Sequence, residues 1–309
     1  MTADETATGG PFITEPGVYD LPADVYHRDP VVGGSLSSTG ARQILLCPAR
    51  FQHDRLHGRA DKRTFDVGRA AHARALGVGD PIEVITGNGK NPNAWATNDD
   101  KAAVAAARAA GRTPVKPAEA AAIEGMAAAL LAHPDAGPLL TRPGVAEQTL
   151  VYQDPETGVW CRVMADWMPE GEPGARVLVV DYKTTANAEP DAFARTAAGY
   201  GYHDQGAFYT DAVTALGLDQ GIEPGFLIVA QEKEPPYLVT VHPLDEVALE
   251  WGRVRMRKAR DIYRRCTETG LWPGYRDDQV APLSLPPYVV NQYEAADQAG
   301  LYLIEGELP

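Results

Sequence analysis

Residues 147–183 read EQTLVYQDPETGVWCRVMADWMPEGEPGARVLVVDYK, and this stretch decides the fold. It contains three runs rich in β-branched and aromatic residues, EQTLVYQ (147–153), VWCRVMADWM (159–168) and ARVLVVDYK (175–183). Such runs are typical of strands, and the separators DPETG and PEGEPG are turn sequences. The stretch therefore predicts three consecutive antiparallel strands.

Helical sequence surrounds these strands, and two further strands follow them. The order of helices, three strands, helix, strands and helix predicts an α/β fold in which a central mixed sheet is flanked by helices, with an N-terminal helical part. The predicted helices lie within 35–51, 65–79, 100–140 (two or three helices), 190–216 and 244–269, and the later strands are FLIVAQ (226–231) and YLVTVHP (237–243).

The composition is that of a globular protein. Hydrophobic residues make up 44% and charged residues 23% of the 309 positions, which excludes a disordered or fibrous chain. No stretch approaches the roughly 18 apolar residues that span a bilayer. The N-terminus carries acids where a signal peptide needs basic residues, so we expect a cytoplasmic protein without a membrane partner. The three cysteines, Cys47, Cys161 and Cys266, are too few and too scattered for a disulfide framework or zinc finger.

The net charge of −14 argues against a protein that coats nucleic acid through bulk electrostatics. Two basic islands interrupt the acidic chain, at residues 41–75 and 251–265, and they suit a polyanion that is held locally. A solvated helix face and a phosphate-contacting track remain open for the second island. Its arginines recur on one helical face, at Arg253, Arg257, Arg260 and Arg264.

We expect one main domain. Residues 1–16 are predicted to be a disordered tail because the first residues are small, polar and acidic. The domain is expected at 17–290, with a helical insertion at about 80–143 that begins in a Gly/Asn/Pro-rich loop. A C-terminal extension at 291–309 completes the chain, and the proline-rich last 40 residues are expected to be mostly irregular.

The candidate chemistry lies at the end of the third strand. Asp181 and Lys183 project from one face because strand side chains alternate, while Tyr182 points to the other. A hairpin brings Asp166 beside Asp181, and two neighbouring carboxylates favour a divalent cation such as Mg²⁺ or Mn²⁺. A lysine beside such a metal suits phosphodiester hydrolysis. The alternative is a surface ion pair at a strand end.

Four elements in this order resemble the PD-(D/E)XK nuclease superfamily, and within it the RecE-type exonuclease (exonuclease VIII) and the RecB-like branch. LSSTGARQILLCPARF (36–51) and WPGY (272–275) also resemble the RecE-like phage and bacterial group, and the resemblance covers roughly residues 17–290. The four elements are Gly68 to His72 on a helix, Asp166 on a strand, Asp181 with Lys183, and Gln205 with Tyr209 on a helix.

The resemblance implies a restriction-endonuclease-like core and a metal-dependent exonuclease. Such an enzyme would digest one strand of linear double-stranded DNA from 5′ to 3′ and leave 3′ single-stranded tails for recombination. It further implies a ring-shaped homo-oligomer that threads DNA. We expect a single-strand annealing protein of the RecT type as its partner, because recessed ends leave a strand to be paired.

The resemblance also implies roles for individual residues. Lys183 would be the catalytic lysine, with Asp166 and Asp181 as the catalytic carboxylates. The metal ligands would be His72, Asp166, Asp181 and the Tyr182 carbonyl. The residues that support the site or contact the substrate would be Gln205, Tyr209 and Glu147, with Ser37 and Thr39 at a terminal phosphate.

Two other interpretations stay open. One is a RecB-like or Cas4-like nuclease of different polarity or with a preference for single strands. The other is a catalytically silent DNA-binding scaffold that keeps the fold. The retained set of Asp166, Asp181 and Lys183 argues against the scaffold, which has no physical reason to keep repelling carboxylates at one strand edge.

Overall fold

The computed structural model describes residues 10–58, 66–172, 174–275, 280 and 282–302. The chain divides into a first compact unit that ends at Trp272 and a second that begins at Pro273. Residues 1–9 of the predicted tail lie outside the described residues. Ile13 is buried and forms a β-bridge with Val31, so ordered structure begins before residue 17.

The first unit contains both strands and helices. The strands are β1 Gly17–Tyr19, β2 Leu36–Ser37, β3 Ile82–Val84, β4 Thr113–Val115, β5 Gly144–Gln153, β6 Trp160–Pro169, β7 Leu178–Thr185, β8 Gly225–Glu232 and β9 Val239–Pro243. The helices are α1 Ala23–His27, α2 Ser38–Leu46, α3 Pro48–His57, α4 Asp66–Leu76, α5 Asn98–Ala109, α6 Pro117–Ala132, α7 Ala136–Thr141, α8 Pro190–Tyr200, α9 Tyr202–Ala215 and α10 Glu246–Thr269. The second unit contains α11 Pro287–Gln298.

The central sheet is mixed, as the sequence predicts. Its order is β1-β5-β6-β7-β8-β9, with β2 joined to β6. The β5–β6 and β6–β7 pairs are antiparallel, which confirms the three predicted strands. The β7–β8 pair is parallel, because α8 and α9 return the chain to the starting edge.

Helices cover both faces of this sheet. Alternation along β7 sends Val179 into a core that includes residues of α2, α9 and α10. It sends Val180 and Tyr182 into a second core with residues of α4, α6 and α7. The strand that carries Asp181 is therefore packed on both sides.

Three segments differ from the expectation. The loop expected at residues 80–99 contains β3, which pairs in parallel with β4, so the insertion is not purely helical. The stretch predicted as one helix at 190–216 is α8 and α9, divided at Gly201 with φ 67°. The C-terminal region expected to be irregular contains α11, which begins at a proline because the first turn of a helix needs no amide donor there.

The predicted arginine stripe is an ion-pair network. Arg260 is only 4% exposed and donates to the Tyr152 hydroxyl and to Asp211. Arg260 therefore cannot belong to a phosphate-contacting track, because it lies on the side of α10 that packs into the core. The outer three arginines pair with acids, Arg253 with Glu223, Arg257 with Glu156, and Arg264 with Asp261 and Glu268.

None of the helices in the described ranges combines the length and the apolar content that a membrane crossing needs.

Candidate active site

Three carboxylates lie in one row across β5, β6 and β7. The pairs Ala146–Trp167 and Gln148–Ala165 bracket Glu147 and Asp166, so these two residues face each other across β5 and β6. The Trp167–Val180 pair continues the row, because the next position outward places Asp166 opposite Asp181. The predicted hairpin does bring the two aspartates together.

The row lies at a fork between strands. Strand β7 pairs with β6 only at Trp167–Val180, and β2 occupies the same edge of β6 at Cys161 and Arg162. Between them Asp166 Oδ2 accepts the Tyr182 amide at 2.9 Å. A side chain thus takes the place that a main-chain carbonyl occupies in an unbroken ladder.

Asp181 and Lys183 share a face, as the alternation predicts. Lys183 Nζ lies 2.5 Å from Asp181 Oδ2, and Gln205 Nε2 donates to Asp181 Oδ1 at 2.6 Å. Tyr182 points into the opposite core, where its hydroxyl donates to Gln231 at 2.6 Å. The surface ion-pair alternative does not hold, since Asp181 is 1% exposed.

His72 reaches the row in spite of the insertion that follows it. Helix α4 places its Nε2 3.1 Å from Asp166 Oδ2 and its Nδ1 3.9 Å from Glu147 Oε1. The sequence could propose this only through the family pattern, because about a hundred residues separate His72 from the two aspartates along the chain. In this arrangement the imidazole lies between Glu147 and the middle carboxylate of the row, Asp166.

The site drives the two aspartate pKa values apart. Burial raises the pKa of Asp181 to about 6, and the Asp166 charge adds to this effect while Lys183 opposes it. Burial also acts on Asp166, but the hydrogen bond and charge of His72, together with the Lys183 charge and the Tyr182 amide, outweigh it and lower the pKa of Asp166. Of the two aspartates, Asp166 therefore ionises more readily, and ionisation of Asp181 is costly.

The remaining charged groups respond to the same field. Burial opposes the charge on Lys183, but Asp181 and Asp166 outweigh it and raise the lysine pKa. The His72 pKa is also raised, because its bond to Asp166 and the charge of Glu147 outweigh burial. Burial is the main cause that raises the pKa of Glu147. The carboxylate cluster therefore favours the protonated forms of His72 and Lys183.

Glu147 occupies strained backbone. Its φ is 50°, in the left-handed region that a residue with a Cβ rarely adopts, and it lies within strand β5. The residue interrupts the β5–β6 ladder opposite Asp166. Strain of this kind is concentrated at functional sites, where it aims a side chain that regular strand geometry would aim elsewhere.

Gln205 and Tyr209 support the row from α9. Both are 7% exposed, and Tyr209 packs edge-on against Phe226 with ring centroids 5.8 Å apart. Burial raises the pKa of the Tyr209 hydroxyl well above its usual value. Of the two predicted roles, support and substrate contact, this burial suits support.

Ser37 and Thr39 lie at the start of α2. The Ser37 hydroxyl caps the helix by accepting a hydrogen bond from the Gly40 amide at 3.2 Å, so this oxygen already has a donor. Thr39 is exposed and accepts a bond from Arg42 at 3.4 Å. In the described part of the chain neither residue hydrogen-bonds to the carboxylate row, and their phosphate-binding role stays a prediction.

Sequence reasoning did not find Gln231. This side chain is fully buried on β8, receives the Tyr182 hydroxyl and donates to the Met126 carbonyl at 2.8 Å. A polar residue at the end of the apolar run FLIVAQ was the only available signal. It repeats the pattern of Asp181 after VLVV, one strand further along the sheet.

The donors at the row suit a hard divalent cation. The Asp181 carboxylate is buried beside the Lys183 ammonium, and carboxylate oxygens are the ligands that Mg²⁺ and Mn²⁺ prefer. Residues that could hold the ion are Asp166 and Asp181, with His72 and Glu147 beside them. Among the described residues, however, no three acidic, histidine or cysteine side chains already surround a common point as a finished metal site.

Comparisons with known proteins agree with this architecture. A family model described as a PDDEXK-like domain of unknown function (DUF3799) matches residues 37–279. The crystal structure of a candidate exonuclease from Eubacterium rectale is similar with a TM-score of 0.52 and 13% identity, over 88% of this chain and 98% of that one. At this identity the likeness shows a shared fold, and it confirms the predicted restriction-endonuclease-like class.

Other comparisons add little. The structure of SSO0001 aligns over 76% of this chain and 86% of its own at 10% identity, with a TM-score of 0.29 that is too low to show a shared fold. No curated protein matches the sequence.

The strain at Glu147 can be measured by substitution. Glu147→Gly and Glu147→Ala both remove the carboxylate, but only glycine accepts φ near 50° without cost. We expect the glycine variant to have a free energy of unfolding about 1 kcal/mol above that of the alanine variant. Urea unfolding measures both values, and an alanine variant at least as stable as the glycine variant would show that the backbone is unstrained.

Proposed function

The chain belongs to the family of PDDEXK-like domains of unknown function (DUF3799), and from this premise we propose that it is a metal-dependent nuclease that hydrolyses DNA phosphodiester bonds. The observation that carries the proposal is the row of Glu147, Asp166 and Asp181 with Lys183 2.5 Å from the last carboxylate. The three carboxylates of this row repel one another, and a bound cation would relieve the repulsion. A catalytically silent scaffold has no reason to need such a cation.

The proposed cofactor is Mg²⁺ or Mn²⁺, held by Asp166 and Asp181 with His72, Glu147 and the Tyr182 carbonyl as further candidate donors. When bound, it would supply the charge that activates a water molecule and polarises the phosphate. The three carboxylates that face one another across β5, β6 and β7 support this assignment.

Lys183 acts as a fixed positive charge in this proposal. Its raised pKa keeps it protonated at neutral pH, so it stabilises charge that develops on the phosphate and does not remove a proton. Gln205 holds Asp181, and His72 holds Asp166, so both carboxylates keep their orientation while the phosphate binds. This preorganisation is what makes an electrostatic contribution effective.

The finer assignment is a RecE-like exonuclease. We propose digestion of linear double-stranded DNA from 5′ to 3′ that leaves 3′ tails for recombination with a RecT-like annealing protein. The sequence resemblance and the solved structure of a candidate exonuclease with this fold support it. A nuclease of opposite polarity or with a preference for single strands has the same residues, and the strand that loses its label first decides between them.

A ring-shaped homo-oligomer is part of the same proposal. Because Arg260 is buried, it cannot be part of a DNA-facing lining, and the outer arginines of α10 and the basic residues within 41–58 remain for that role. Light scattering at micromolar protein should give a mass that is a multiple of 33.2 kDa. A monomeric mass would rule the ring out.

Cleavage tests the proposed function. The wild type should release nucleotides from linear duplex DNA, labelled separately at each 5′ end, with Mg²⁺ and not with EDTA. Lys183→Ala should lower the rate by about 100- to 1000-fold with DNA binding retained, because the lysine acts mainly in the transition state. Lys101→Ala is the matched control, since it removes an exposed lysine from the other Asp-x-Lys triplet, at Asp99 and Lys101. No release with any divalent metal would favour the scaffold.

Metal binding tests the ligand assignment without any cleavage. Saturating Mn²⁺ should raise the melting temperature of the wild type by about 5 °C at a hundredfold excess over its dissociation constant. Asp181→Ala should lose this rise, whereas Asp99→Ala should keep it. An Asp181→Ala protein that Mn²⁺ stabilises as much as the wild type would contradict the ligand role of Asp181.

A further inference from the structure

A sharp corner between two helices lies beside Lys183. Helix α8 ends at Tyr200 and α9 begins at Tyr202, and Gly201 between them has φ 67° and ψ 44°. A Cβ at Gly201 would lie 2.8 Å from Asp204 Oδ2 and 3.1 Å from Arg42 Cδ. Glycine therefore permits the corner, and the corner presents the two tyrosines side by side.

The two tyrosine rings form a continuous step that leads away from the lysine. The Tyr202 ring centroid lies 5.5 Å from Lys183 Nζ. The Tyr200 ring stacks on Tyr202, with centroids 5.8 Å apart and planes inclined by 19°. Tyr202 is half-buried, but Tyr200 is 66% exposed, so the outer ring of the step is open to a ligand.

Arg42 fixes the outer end of the step. Its Nη1 donates to the Tyr200 carbonyl at 2.5 Å, and its Nη2 donates to Thr39 at 3.4 Å. The main chain at Tyr200 is thus tied to helix α2, 158 positions away in sequence. A positive charge and an exposed, anchored ring stand together beside the carboxylate row.

Single exposed aromatic residues are common and need no explanation. Tyr200 differs because it is tethered by a cation and joined through Tyr202 to the proposed catalytic lysine. Nucleobases bind such surfaces by stacking, and the backbone phosphates bind the adjacent cation. Stacking tolerates every base, which suits a nuclease that must cut any sequence.

We propose that Tyr200 and Tyr202 form a stacking platform for a nucleobase of the DNA strand that enters the site, with Arg42 at the neighbouring phosphate. The inference rests on the proposed nuclease function and adds the surface that holds the substrate. Tyr200 contributes to DNA binding and to the position of the bound strand, because the Tyr202 ring lies between its own ring and Lys183. Its loss therefore weakens DNA affinity and raises KM more than it lowers kcat.

Binding in EDTA tests the platform without cleavage. Tyr200→Leu should weaken binding of a tailed duplex by about tenfold, whereas Tyr200→Phe, which keeps the ring, should bind like the wild type. Tyr288→Leu is the matched control, because Tyr288 is 72% exposed and lies in the second compact unit. Near-equal affinity for the wild type and Tyr200→Leu would overturn the proposal.

Photocrosslinking locates the contact. Oligonucleotides with 5-iododeoxyuridine at successive terminal positions, irradiated on the wild type, should crosslink at one or two adjacent positions, and mass spectrometry should find the adduct on Tyr200. Crosslinks confined to other residues would overturn the proposal. A protein that cleaves DNA without an adduct at Tyr200 refutes the platform alone, and a protein that binds no DNA refutes the proposed nuclease together with it.

Discussion

The hydrogen bond from the Tyr182 amide to Asp166 Oδ2 holds the candidate site together. Strands β6 and β7 separate at this point, and a buried amide without a partner would cost about 1–3 kcal/mol. An ionised carboxylate satisfies it, so the fork itself favours a negative charge at residue 166. The point where β6 and β7 separate is thus also the point where the Asp166 carboxylate is required. The strand register then places Asp181 opposite it.

That first charge sets the properties of the groups around it. It raises the pKa of Asp181, which burial already raises, and it also raises the pKa values of His72 and Lys183. The protein compensates only part of this buried charge with its own cations. Under the proposed function, a bound cation would offset the remaining cost of the two repelling aspartates at one strand edge.

The arginines of α10 show how charge in a sequence differs from charge on a surface. Four arginines at helical spacing are equally consistent with a DNA track and with a solvated face, and the structure has a third arrangement. Arg260 is buried among Tyr152, Asp154 and Asp211, where it ties α10 to α9 and to the β5–β6 turn. The spacing of the arginines fits the DNA track, the solvated face and the ion-pair network equally well, because it shows only that the residues share one side of a helix.

Local patterns in the sequence determined the strands, their antiparallel order, most of the helices and the shared face of Asp181 and Lys183. These follow from neighbouring residues, since strand alternation and turn composition act over a few positions. Ordered family motifs added His72 and Gln205 as expectations. Only the tertiary structure decided that Glu147 completes the row through strained backbone, that Gln231 braces Tyr182, and that Tyr200 is tied to Arg42. Each of these depends on strand register or on helix packing between residues far apart in the chain, and such contacts leave no periodic trace in a single sequence.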